Sequence, residues 1–189
     1  MFKGNTSIEI LDLRCFTAIR TYMNDAFAAN MTSLKKLYFP SLITEEPASG
    51  SAQAGNGHQY IGGDTALQKI VLPYTCRRTR GSAFNQNGLG ATLIIGDAIN
   101  GSQLVSMCEY QSLTGIGKLV LYATTPPYWH GFNSSRYDST TPRGNTTIPN
   151  ACKIYVPDTA VDTYKNSGNS LWGQFASRIY PISEFEGEL

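Results

Sequence analysis

The sequence predicts a repeat solenoid: a short right-handed coil with one parallel β-sheet of about five or six strands, an irregular opposite side and a small α-helical C-terminal cap. Three observations predict it. An apolar pattern recurs along the chain, a turn phrase built around Asn or Asp precedes its early copies, and an amphipathic segment follows its last copy. Coils of this kind stack their strands around one shared interior.

The apolar pattern has the form apolar-x-x-apolar-x-apolar, with successive first positions 26, 33, 23, 26 and 35 residues apart. A unit of 23 to 26 residues with two insertions explains these intervals, and that period is typical of leucine-rich repeats. The second apolar residue of each copy should point inward, so Leu37, Ile70 and Leu119 should share one row. The copies are Ile8-Leu11-Leu13, Leu34-Leu37-Phe39, Leu67-Ile70-Leu72, Gly90-Leu93-Ile95, Ile116-Leu119-Leu121 and Ala151-Ile154-Val156.

A short polar phrase precedes the early strands and predicts the corner of each coil. Its side-chain amide or carboxylate should hydrogen-bond turn backbone groups that no strand ladder reaches. A β-sandwich of short strands is the alternative, but it does not predict one phrase recurring at this spacing. The turn residues are Asn5, Asn30, Asp64 and Asn87.

The chain divides into a solenoid over residues 1–157 and a cap over residues 158–189, within a single domain. Insertions are expected near 47–58 and near 131–147. The composition of the first predicts a flexible loop. Asp158 or Thr159 should N-cap a short helix. No cap precedes Ile8, so the chain is expected to be the C-terminal part of a longer protein, or to have a partner over its first coil. Apolar cover in the cap should come from Tyr164, Trp172, Phe175 and Ile179.

Four stretches resemble BspA-like leucine-rich repeats, which occur in surface proteins of Bacteroidetes and in associated phage proteins. The resemblance implies a solenoid fold with an adhesive or recognition role, and it carries no catalytic residues. The irregular coil around residues 92–107 and the two insertions depart from the family's pattern. The stretches are 25–40 (DAFAANMTSLKKLYFP), 119–127 (LVLYATTPP), 153–165 (KIYVPDTAVDTYK) and 172–182 (WGQFASRIYPI).

Charge and hydropathy exclude several classes of partner. The net charge is +1 and charged residues make up 15% of the chain, so no electrostatic feature predicts nucleic acid as a partner. Uninterrupted apolar stretches are too short for a spanning helix, and the N-terminal residues lack a signal-peptide pattern. The expected location is the cell surface or exterior, as part of a longer protein, or a virion.

The sequence predicts no enzyme, no cofactor and no metal site. The two histidines, His58 and His130, have no second ligand at zinc spacing, and no nucleophile elbow, P-loop or dinucleotide motif occurs. The four cysteines are widely separated, which favours buried free thiols over a metal knuckle, although two disulfides are arithmetically possible.

One constellation predicts binding of a protein or a glycan. Tyr128, Trp129 and Tyr137 lie at the second insertion, where aromatic side chains on a loop over a rigid scaffold suit stacking or a protein hot spot. Trp129 could instead fold inward. Arg77 and Arg78 belong to a basic run that is either a solvated turn or an anion contact. Adhesion to a host protein or glycan is the favoured function, a phage tail or fibre component is the alternative, and a carbohydrate-active enzyme is less favoured.

Overall fold

A computed structural model of the chain gives the fold. It describes residues 2–17, 19–20, 28, 30–41, 43–44, 53–54, 63–80, 90–104, 106–109, 115–129, 148–168 and 172–189. Across these residues the chain forms a β-solenoid with a small helical cap, as the sequence predicts.

The described strands pair in parallel, and one sheet contains seven of them in the order β1-β3-β6-β8-β10-β12-β13. All six predicted copies contribute a strand, and the seventh comes from the cap. In chain order the described strands are β1 (Ile10–Asp12), β2 (Ile19–Arg20), β3 (Lys36–Tyr38), β4 (Ile43–Thr44), β5 (Gln53–Ala54), β6 (Lys69–Leu72), β7 (Arg78–Arg80), β8 (Ala91–Ile95), β9 (Ser106–Glu109), β10 (Ile116–Leu121), β11 (Tyr128–Trp129), β12 (Lys153–Val156) and β13 (Ile179–Pro181).

The register of the seven-stranded sheet aligns the inward residues in one row. Leu37 pairs with Ile70, and Leu119 pairs with its counterparts in β8 and β12. These side chains are fully buried in a single core, which confirms the predicted shared interior. The row contains Leu11, Leu37, Ile70, Leu93, Leu119, Ile154 and Ile179.

A second side of the solenoid, predicted to be irregular, carries short parallel strands of its own. They form a four-stranded sheet in the order β11-β9-β7-β5 and a two-stranded sheet of β2 and β4. Gln53 and Ala54 lie in the insertion predicted to be a flexible loop, yet their backbone pairs with β7. The insertion near 131–147 lies outside the described residues.

The turn residues act in different ways. Asn5 Oδ1 accepts hydrogen bonds from the backbone N–H groups of Ser7 and Ile8, both at 2.9 Å, as predicted for a local turn. Asp64 Oδ1 instead accepts the N–H of Met31, in the preceding coil, at 2.6 Å. Asn30 has a left-handed backbone with φ 58°, a conformation that Asn tolerates better than most residues. Asn87 lies outside the described residues.

Asp64 is buried, and its second carboxylate oxygen has no hydrogen-bond partner within the described part of the chain. Burial raises the pKa of this carboxyl to about 7, and the hydrogen bond from the Met31 N–H opposes part of that shift. Two neighbouring coils are therefore joined by a buried carboxyl that holds its proton more tightly than a free Asp does.

The cap contains α1 (Val161–Lys165) and 3-10 helices at Asp158–Ala160, Trp172–Arg178 and Ile182–Glu184. The predicted cap residues Tyr164, Trp172, Phe175 and Ile179 are all buried. Trp172 Nε1 donates to the carbonyl of Pro127 at 2.6 Å, and the Tyr164 hydroxyl donates to the carbonyl of Ala123 at 3.0 Å. These bonds attach the cap to the last regular coil.

The start of the cap differs from the prediction of a side-chain N-cap. The first 3-10 helix is preceded by Pro157 and α1 by Ala160, and neither position makes a side-chain cap. The Asp158 carboxylate accepts the backbone N–H of Ser183 at 3.1 Å instead, because the two turns of the cap pack together. Asp158 therefore joins two cap segments.

Cys76 and Cys152 are buried, as the sequence predicts for its cysteines, whereas Cys15 is a free thiol at the surface. The Cys108 side chain lies outside the described part of the structure. Among the described residues, no helix has the length and apolar character needed to cross a membrane.

Candidate functional site

The outer face of the seven-stranded sheet carries two rows of side chains, on either side of the buried row in each strand. We call the first the lysine row and the second the apolar row. Because side chains alternate along a strand, both rows point away from the core. The lysine row is Ile10, Lys36, Lys69, Thr92, Lys118 and Lys153, and the apolar row is Asp12, Tyr38, Val71, Ile94, Val120, Tyr155 and Tyr180.

The C-terminal tail, residues 185–189, crosses this outer face. Glu188 forms ion pairs with two neighbouring members of the lysine row, at 2.8 Å from Lys36 and 3.7 Å from Lys69. Lys118 donates to the backbone carbonyl of Glu186 at 2.8 Å. The tail therefore contacts strands β3, β6 and β10 through their lysines.

The charges on the face shift one another's ionisation. The hydrogen bond to Glu188 raises the pKa of Lys36 and, together with Lys69, holds the pKa of the Glu188 carboxyl below its usual range. Burial lowers the pKa of the Lys69 ammonium, and the Glu188 carboxylate opposes this shift. Lys69 is the buried member of the lysine row. Its charged form therefore needs an anionic neighbour more than the charged forms of the more exposed lysines do.

The apolar row forms a second, smaller cluster outside the main core. Ile94, Val120 and Tyr155 are buried although they lie on the outer face, since Ile182 and Phe185 pack against them. The Phe185 ring contacts Tyr155 edge-on, with ring centroids 5.0 Å apart. Ile182, from the last 3-10 helix of the cap, thus helps to cover the sheet.

A groove of about 580 Å³ lies beside the tail, at the ends of strands β3, β6 and β8. Its cationic side is lined by Arg14 and Lys69. The Arg14 guanidinium lies 4.3 Å from the ring centroid of Tyr38, which also lines the groove. Leu189 from the tail and Ile99, which is 93% exposed, form its apolar side. The groove combines cationic, aromatic and aliphatic groups with the carboxylate of Asp97 within one concave surface.

Arg14 and Asp12 fix the first end of this surface. Arg14 binds both carboxylate oxygens of Asp12, the shortest contact being 2.6 Å. That side-chain hydrogen bond is the main reason the pKa of Asp12 is lowered to about 2. Since the acid and the base neutralise each other, the cationic character of the outer face comes from its lysines.

Those residues predicted for binding whose backbone the structure describes belong to the second side instead. Tyr128 is 54% exposed at the edge of the four-stranded sheet, and β7, which contains Arg78, is two strands away. Arg77 is exposed in the turn before β7. Strand pairing thus brings β7 and β11 to one sheet, while the side chains of Trp129 and Arg78, and the whole of Tyr137, lie outside what the structure describes.

The lysine row has a signal in the sequence. Lys36, Lys69, Lys118 and Lys153 each stand directly before the central inward residue of a repeat copy. Residues at equivalent positions of stacked coils must align on one face. The tail has no such signal, because its sequence occurs once in the chain and does not repeat from coil to coil.

The arrangement suits reversible binding of an anionic, partly apolar ligand. Within the described residues no group of three or more His, Cys, Asp or Glu side chains could hold a metal ion, and His58 and His130 lie outside that part. No protein-family model and no curated protein matches this chain.

Proposed function

We propose that the protein is a non-enzymatic recognition module that binds a partner through the outer face of its seven-stranded sheet. The observation that carries the proposal is the alignment of the lysine row and the apolar row along a rigid parallel sheet. Rows of this kind give a partner regularly spaced cationic and aromatic contacts. The resemblance of residues 25–40 and 153–165 to BspA-like repeats supports a surface or adhesive setting.

The chemistry of the face favours a protein or acidic glycan partner. Lys153 is exposed, and its Nζ lies 5.7 Å from the Tyr180 ring centroid. Lys118 is half-buried in the middle of the row. Lysine ammonium groups beside aromatic rings can bind carboxylates while the rings contribute apolar or stacking area.

Arrays of acidic peptides and acidic glycans, probed with the full chain, test this proposal. We expect ligands whose binding falls at least tenfold in Lys118→Glu/Lys153→Glu, because reversed charges repel an anionic ligand. The control is Lys165→Glu, which changes charge on α1 of the cap. Array ligands that bind the wild type and this sheet variant equally well would contradict the proposal, as would an absence of any ligand.

A further inference from the structure

The C-terminal tail contacts the outer face as a ligand would. Phe185 packs on Tyr155 of β12, the Glu186 carbonyl accepts from Lys118 of β10, and Glu188 reaches the lysines of β6 and β3. The tail therefore runs across the strands and adds no strand to the sheet. Its described contacts with the face are side-chain packing, ion pairs and one hydrogen bond to a backbone carbonyl.

The dimensions of the tail fit this crossing. Strands β12 and β6 are separated by three strand spacings, about 14 Å. Three residues of extended chain, from Phe185 to Glu188, cover about 10 Å, and the long Lys and Glu side chains bridge the remainder. An aromatic ring and a carboxylate three residues apart therefore match the spacing of the face.

Gly187 allows the backbone to pass close to the Phe185 ring on the path between these two groups. A Cβ atom at this position would lie 2.9 Å from a carbon of the Phe185 ring, closer than packed side chains tolerate. The segment that fits the face thus has an aromatic residue, a small residue two positions later and an acidic residue after that.

The tail covers the face but is held mainly at the surface. The Glu188 side chain is 64% exposed in its ion pair with Lys36, and exposed ion pairs contribute little to stability. Beneath the tail and the preceding turn, Ile94 and Val120 are almost completely shielded from water. A competing segment could gain this apolar surface and the same lysines by displacing the tail.

We propose that the tail is an intramolecular competitor, and that the partner of the outer face is a protein segment of the same chemistry, aromatic and acidic. This inference rests on the proposed function, because it assumes that the outer face is the recognition surface. It adds the identity of the partner's binding segment and the requirement that residues 185–189 leave before the partner binds.

Binding of a fluorescent peptide with the sequence ISEFEGEL, that of residues 182–189, tests the inference by fluorescence anisotropy. We expect the full chain carrying Phe185→Ala/Glu188→Gln to bind this peptide at least tenfold more tightly than the wild type, because its own tail no longer competes. Glu188→Gln alone should produce a smaller gain and changes only an exposed side chain. The matched control is Glu186→Gln, which removes one tail charge but keeps Phe185 and Glu188, and it should bind as weakly as the wild type.

The peptide's own groups provide the second arm. Replacing its Phe by Ala or its last Glu by Gln should reduce binding to the double variant at least tenfold, and added salt should weaken it. Equal peptide binding by wild type and released variants, or no binding by any of them, would overturn the inference. If array ligands still require Lys118 and Lys153 in that case, the proposed function stands and only the competitor role fails.

Discussion

The two sides of the solenoid are formed by the same turns of chain but differ in regularity. Strands of the seven-stranded sheet have three to six residues, whereas strands of the second side have two to four and divide into two sheets. Both sides contain a register shift, between Ile116 and Lys118 in the pairing of β10 with β8 and between Arg78 and Arg80 in the pairing of β7 with β9. Constant apolar spacing keeps the inward row of the first side aligned, whereas segments of variable length give the second side shorter strands in two separate sheets.

The sides also differ in what covers them. The outer face of the first side has the lysine row, and the tail shields its apolar row. On the second side, Tyr128 is exposed at a sheet edge. Regular repetition thus produces a broad surface of aligned charges.

The largest expected effect on stability comes from Trp172, which attaches the cap to the chain just before β11. Trp172→Ala should lower the free energy of unfolding by about 3–5 kcal/mol, because a fully buried indole and its bond to Pro127 are lost. Chemical denaturation measures this change. Trp172→Phe, which keeps an aromatic ring but loses the N–H donor, should cost about 1–2 kcal/mol. A loss below about 1 kcal/mol for the alanine variant would show that the cap does not stabilise the coil.

A pH effect should arise at Asp64, between two coils of the regular side. The folded-state pKa is raised to about 7, against roughly 3.9 for an unfolded Asp, so the folded state holds the proton more strongly. The Asp64 contribution to stability should therefore fall as pH rises from about 4 to 7, by at least about 1 kcal/mol, and level off above 7.

Asp64→Asn isolates this contribution because the amide oxygen can still accept the Met31 N–H while the side chain no longer titrates. Denaturation of wild type and variant at several pH values between 4 and 8 provides the measurement. The difference between the two proteins should shift in the variant's favour as pH rises. A constant difference over this range would refute the titration of Asp64.

A smaller effect is expected at the left-handed turn of the second regular coil. Asn30→Ala should lower the free energy of unfolding by about 1 kcal/mol, since φ 58° disfavours a Cβ-bearing residue without a short polar side chain. Asn30→Gly should restore most of this loss. If the two variants are equally destabilised, the side chain of Asn30 matters more than its backbone conformation.

The smallest effect on stability is expected on the second side. Tyr128→Ala should change the free energy of unfolding by less than about 0.5 kcal/mol, because the ring is half exposed at a sheet edge. The same variant, applied to the peptide and glycan arrays, tests whether this side also binds. Loss of array binding in Tyr128→Ala, with retention in Lys118→Glu/Lys153→Glu, would reverse the proposed assignment of the two sides.

The sequence was sufficient for features that repeat and insufficient for features that occur once. The spacing of residues such as Leu37 and Ile70 predicts both the strands and their inward row, because each copy must fill the same core position. The short strands on the second side follow segments of unequal length, so no period predicts them. The ion pair between Lys36 and Glu188 joins positions 152 residues apart, and local patterns carry no information on such a contact.

The binding residues predicted from the sequence differ from the candidate site on the outer face for the same reason. The aromatic residues around Tyr128 form a cluster in the sequence, whereas the lysine row is a cluster only after the coils stack. Lys69 and Lys118 are 49 positions apart in sequence, yet they lie at one register position with Thr92 between them. In a solenoid, equivalent positions of different copies are therefore the better predictor of a surface.

Zero-length carbodiimide cross-linking, analysed by mass spectrometry, tests most directly whether the tail lies on the lysine row as a displaceable competitor. The chain offers an internal control in Lys35 and Glu9, which form an exposed ion pair at 2.9 Å away from the tail. We predict a Lys36–Glu188 cross-link alongside the Lys35–Glu9 cross-link, and selective loss of the former when excess ISEFEGEL peptide is added to the full chain. Formation of the control cross-link without any Lys36–Glu188 product, or persistence of that product at saturating peptide, would contradict the account.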